Sequence, residues 1–173
     1  MTHASPGLKA MLRSSGSAIA SIRKAEGYSQ AQLAELTGVH PNTVANIERG
    51  LVDPSVMCLN YIYIQLRCLG IDVRDGGFSP IAPLPDDPSL PFPNLANISP
   101  GDMISVMGNR VVERRKAMGL SLKDLAGEAG VHPNTLWNFE NGLVIPSAST
   151  IYSVYKALGV EQVLGCGDGI MLK

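Results

Sequence analysis

The sequence predicts an all-α protein of two tandem units, each of four to five helices, joined by a proline-rich linker. Three observations carry this. The pentapeptide VHPNT stands at Val39–Thr43 and again at Val131–Thr135, an offset of 92 positions. At that offset RKAEGYSQAQLAELTGVHPNTVANIERGLVDPS lies over RKAMGLSLKDLAGEAGVHPNTLWNFENGLVIPS without a gap, as expected of a repeated structural unit. Between the copies, residues 75–101 hold seven of the twelve prolines. Proline lacks an amide donor and fixes φ, so this stretch is expected to be an extended strap and not a third domain. The chain therefore divides into an N-terminal tail (1–16), a first unit (17–74), the linker (75–101) and a second unit (102–173).

The elements of one unit follow from local signals. Ile19, Ile22 and Ala25 mark one face of a first helix that ends at Gly27. Ser29 with Gln32, and Ser121 with Asp124, have capping-box spacing and open a second helix. Leu33, Ala34 and Leu36 give that helix an apolar side, and Gly38 ends it in a left-handed turn. His40-Pro41 opens a third helix, with proline at the first position where its missing amide does no harm. There Val44 and Ile47 face inward, while Asn42, Ala45 and Asn46 face outward. Pro54-Ser55 introduces a last helix. Matching Gly70 with Gly159 makes that helix about one turn longer in the first copy. The β-prone tails Gly70–Arg74 and Gly159–Leu164 are candidates to pair with each other.

Two short helices meeting across a Gly-Val turn are helix-turn-helix geometry. SQAQLAELTGVHPNTVANIERG resembles the Cro/repressor-type (XRE-like) helix-turn-helix family of transcriptional regulators, and SLKDLAGEAGVHPNTLWNFENG resembles a second member. The resemblance covers residues 17–71 and 106–160 and implies two lambda-repressor-like domains. It also implies that the third helix of each unit enters the major groove and presents its first residues to base edges. The DNA-binding residues would then be His40, Pro41, Asn42, Thr43 and Asn46, and His132, Pro133, Asn134, Thr135 and Asn138. Asn suits bidentate contact with adenine, His either a phosphate or a base, and Thr either a phosphate or a packing role. Asn is also a common capping residue, but capping does not call for it again at Asn46 and Asn138. Gln30 takes a position that the family uses against phosphate, where the second copy has Leu122. Trp137, in place of Ala45, is expected to pack on a neighbouring segment, with DNA contact as the alternative. The family likewise implies structural ion pairs for Arg23 with Glu48 and Arg115 with Glu140. Arg114, in place of Ile22, is expected to make the first helix of the second unit less regular.

Charge gives no support to a nucleic-acid partner. Residues 1–74 have seven bases against five acids, the linker has three acids alone, and residues 102–173 balance at seven each. Where relatives often supply a base after the Glu-x-Gly mark, this chain has Leu51-Val52-Asp53 and Leu143-Val144-Ile145. These departures imply few phosphate contacts and a shallow salt dependence. They also keep open a second reading, a helix-turn-helix protein that binds another protein as an antiactivator or antitoxin-like partner. Cys58, Cys68 and Cys166 form no metal or disulfide pattern and are expected to be small apolar fillers. No metal or cofactor is expected, and the histidines (His3, His40, His132) suit no catalytic pattern, so an enzyme is not expected. The expected partner is a double-stranded DNA operator, with a homodimer or a protein partner left open. No stretch approaches the roughly 18 apolar residues of a membrane span, and a cytoplasmic protein is expected.

Overall fold

The computed structural model describes residues 6–74, 78–83, 99–166 and 169–173. The first unit contains α1 (Pro6–Ala25), α2 (Gln30–Thr37), α3 (Pro41–Glu48) and α4 (Val56–Gln65), then β1 (Cys68–Asp72) and β2 (Ser79–Pro83). The second repeats the order with α5 (Pro100–Ala117), α6 (Leu122–Ala129), α7 (Pro133–Glu140), α8 (Ala148–Ala157), β3 (Gln162–Cys166) and β4 (Gly169–Leu172).

Helices α2, α3, α6 and α7 have eight residues each, too few to be stable alone. Caps and packing hold them. Ser29 Oγ accepts from the Gln32 amide at 3.1 Å, while the Ser29 amide donates to Gln32 Oε1 at 2.8 Å. Ser121 and Asp124 repeat the box. Gly38 (φ 67°) and Gly130 (φ 65°) end α2 and α6 in the left-handed region. Leu33, Val44, Ile47 and Ile19 fill the first core, and Leu125, Leu136, Phe139 and Val111 fill the same places in the second.

The first helix of each unit crosses the end of the third at very short range. A Cβ on Gly16 would lie 2.2 Å from the Ile47 carbonyl oxygen, and one on Gly108 would lie 2.5 Å from that of Phe139. Backbone cannot yield to such a contact, so only glycine fits. Gly50 (φ 64°) closes the same crossing from the other side, against the backbone of Arg13.

Two seams join the units. At the first, the Val56 amide donates to the Pro146 carbonyl at 2.9 Å, and the Ala148 amide donates to that of Pro54 at 2.8 Å. This is an antiparallel bridge centred on Ser55 and Ser147. At the second, β1 pairs antiparallel with β3 through Gly70↔Leu164, Ile71↔Val163 and Asp72↔Gln162. Ser55 with Ser147, and Ile71 with Val163, are pairs of repeat counterparts. A residue that faces its own counterpart marks a two-fold axis. The result is one sheet of order β2-β1-β3-β4, so the expected pairing of the tails is present.

The structure corrects four expectations. The last helix of the first unit is not a turn longer, since α4 and α8 both have ten residues. Arg67 (φ 56°) takes the left-handed position after α4 that Gly159 (φ 61°) takes after α8, and Gly70 lies within β1. The offset of 92 therefore continues ungapped, and choosing the wrong glycine as the helix stop created the apparent insertion. Helix α1 begins at Pro6, within the expected tail. Ser79–Pro83, placed in the linker for its prolines, is strand β2. It lies at the sheet edge, where proline is tolerated. The linker's residues 84–98, and residues 1–5 of the tail with His3, lie outside the described residues. Finally, Arg114 does not disturb α5, which runs unbroken, because its Nε reaches the Leu158 carbonyl at the end of α8 (3.4 Å).

Gly16→Ala and Gly108→Ala should each lower stability by about 1–3 kcal/mol through overpacking against backbone. Gly127→Ala is the opposite case, since a Cβ there meets nothing within 4 Å in mid-α6. It should raise stability by up to about 1 kcal/mol. Urea unfolding of the three variants measures both signs, and an unchanged midpoint for Gly16→Ala contradicts the close crossing.

Candidate nucleic-acid interface

The third helix of each unit is held from behind by one arginine. Arg23 on α1 donates from Nε to Glu48 Oε1 at 2.5 Å and from Nη2 to Oε2 at 3.0 Å. Its Nη1 donates to the Tyr28 carbonyl in the turn before α2. Arg115 does the same for Glu140, with both distances 2.7 Å, and for the Leu120 carbonyl at 3.1 Å. The Arg23 and Glu48 side chains are 7% and 6% exposed, which makes this a buried pair. Burial pushes the Glu48 carboxyl up, but the hydrogen bonds from Arg23 and Gln30 outweigh it and hold the group below its ordinary range. Gln30 Nε2 donates to Glu48 Oε2 at 2.7 Å, so this residue, expected against phosphate, is tethered to the ion pair. Leu122 leaves the second unit without that tether.

On the outer side, each third helix is capped by histidine. His40 Nδ1 accepts from the Asn42 amide, and His132 Nδ1 accepts from the Asn134 amide, both at 3.2 Å. A neutral ring that accepts at Nδ1 has its proton on Nε2, and that donor is left for an outside acceptor. Capping by histidine frees asparagine from that role. Among the described residues, the side-chain amides of Asn42, Asn134 and Asn138 make no hydrogen bond, and Asn46 Oδ1 has only a long contact from Arg49 (3.4 Å). Asn42 and Asn134 are exposed, whereas Asn46 and Asn138 are partly covered. Pro41 and Thr135 are exposed and Pro133 and Thr43 partly so, each at the start of its helix.

Trp137 is 50% exposed, so among the described residues no segment covers it as expected. Asn141 Nδ2 donates to the Trp137 carbonyl at 2.8 Å and takes the place that Arg49 has in the first unit. Leu36, expected on the apolar side of α2, is 51% exposed. Leu51 and Leu143 follow the glycine of each unit and are each 63% exposed.

Gly16 and Gly108 were not legible as close-contact positions in the sequence, although both fall in the ungapped register. Nor was Asp53, which stands in the sequence only as a lost base. Asp53 Oδ1 accepts from the Ser149 amide at 3.0 Å and Oδ2 accepts from its hydroxyl at 2.5 Å, which caps α8 of the other unit. Among the described residues, no three metal-ligating side chains cluster, and no helix is long and apolar enough to cross a membrane.

Paired short helices, each with a buried anchor at one end and free polar groups at the other, define a tandem helix-turn-helix protein. The helix-turn-helix family model matches residues 19–57 and 111–161, just over half of the chain. The chain belongs to that family of DNA-binding regulators, which is not a family of enzymes. Comparison with curated proteins found no match, and comparison with solved structures found none either.

Arg23→Ala should cost about 3–5 kcal/mol, because it leaves a buried carboxylate unpaired. Arg110→Ala breaks an exposed pair with Glu113 and should cost under about 1 kcal/mol. Chemical denaturation separates the two, and similar losses contradict the buried role. Because the folded Glu48 carboxyl is held low, its contribution is complete above the unfolded value of about 4.3. It disappears as pH falls through the lower folded value. Glu48→Gln should therefore be less stable at neutral pH and lose less on acidification.

Proposed function

We propose that this chain is a sequence-specific transcriptional regulator, a repressor, that reads two similar half-sites of double-stranded DNA with one polypeptide. The observation that carries the reading is the duplicated helix start. His40 and His132 cap their helices from Nδ1, which leaves Nε2 for an outside acceptor, and the exposed side-chain amides of Asn42 and Asn134 make no hydrogen bond among the described residues. Surface amides without internal partners suit bonding to base edges, where a good bidentate contact discriminates by about 1–3 kcal/mol. Both seams pair repeat counterparts, which supports a covalent pseudo-dimer acting at an inverted repeat. The cytoplasm is the matching compartment.

A second reading, binding to a protein, draws support from exposed Leu51, Leu143, Ile145 and Trp137 near the third helices. Aromatic and aliphatic groups of this kind are ordinary protein-interface anchors and poor phosphate contacts.

Selection of bound sites from random DNA tests the proposal. The expected site has two like half-elements about 34–36 Å apart, filled by one chain. Asn46→Ala and Asn138→Ala should each weaken binding to it by about 1–3 kcal/mol and relax preference at one base pair. No enriched site, or equal binding by parent and both variants, rejects DNA reading in favour of a protein partner.

A further inference from the structure

The seam between the units has two-fold backbone contacts but one-sided side-chain contacts. Asp53 of the first unit caps α8 through Ser149, with Oδ1 to the amide at 3.0 Å and Oδ2 to the hydroxyl at 2.5 Å. The mirrored positions are Ile145 and Met57, which cannot make either side-chain bond. A second contact has the same polarity. Phe78, just before β2, meets Tyr152 of α8 edge-on, with ring centroids 6.3 Å apart. Phe78 is fully buried and Tyr152 is 8% exposed, so the contact is dry. Its mirrored positions are Ile170 and Asn60.

These differences act on pairing. Two first units placed across this seam would keep a bond from the Met57 backbone amide to Asp53 but lose the hydroxyl bond, and would set the Phe78 ring against asparagine. Two second units would leave the Ser149 amide without its carboxylate cap. Only the unlike pair makes both the carboxylate–hydroxyl bond and the ring–ring contact, and specificity is a difference of affinities. We propose that the seam selects unlike halves: the first unit takes the second in preference to a copy of itself, even without the covalent connection. The polypeptide is thus a heterodimer in its contacts as well as a single chain. This is independent of any reading of DNA.

The test uses the whole chain, cut after folding at a protease site inserted within residues 84–98, then unfolded in denaturant and refolded together. Native mass spectrometry counts the pairs, since the two halves differ in mass. The ratio of unlike to like pairs is expected to exceed the statistical one-to-one by about threefold to tenfold, the factor that one exposed hydrogen bond is worth. The double substitution Asp53→Ile with Ser149→Met makes the two sides alike at the cap and should raise the share of like pairs. A statistical mixture, a majority of like pairs, or halves that stay unpaired would overturn the proposal. So would a share of like pairs that the double substitution leaves unchanged.

Discussion

One guanidinium in each unit holds three pieces of chain together, and the outer surface depends on it. Arg23 ties α1 to the end of α3 through Glu48 and to the turn before α2 through the Tyr28 carbonyl. Arg115 makes the same ties to Glu140 and Leu120. An eight-residue helix has little stability of its own, so its orientation comes from what grips its ends. A planar fork that bonds a carboxylate with two nitrogens and a carbonyl with the third fixes direction as well as distance. The glycine crossing is the complement of this grip. With Gly16 and Gly108 the first helix comes close enough for the arginine to reach.

The opposite end of each third helix is held by histidine. Because the ring itself accepts the Asn42 or Asn134 amide, the side-chain amides of Asn42, Asn134 and Asn138 are left without a hydrogen bond among the described residues. The chain thus separates anchoring from presentation along a helix about 12 Å long. Between the units, the bridge at Ser55–Ser147 and the strand pair centred on Ile71–Val163 fix the relation of one presenting end to the other. Two short stretches of backbone pairing at separate points resist rotation in a way that a single point cannot.

Much of this was legible in the sequence. The caps, the glycine stops and the inward Val44 and Ile47 follow from local chemistry, and local chemistry does not depend on the rest of the fold. The strand β2 was not legible, because proline argues against a strand unless the strand lies at an edge, and edges are set by topology. The end of α4 was misjudged for a related reason. Arg67 occupies a left-handed position usually given to glycine, so the local signal pointed to Gly70 instead. Asp53 was visible only as a break in the repeat, and its partner lies 96 residues away. Pairing across such a distance has no local signature.

The single covalent chain also changes what a mutation can do. In a homodimer each altered codon appears in both subunits, so an interface or a recognition surface changes on both sides at once. Here every codon is expressed once per pair of units. The buried hydroxyls record the result: Tyr63 meets Ser15 at 3.4 Å, while its counterpart Tyr155 makes no hydrogen bond among the described residues, with Met107 in the place of the serine. One half can therefore accept a change that the other never sees, and the gene can explore asymmetry one side at a time.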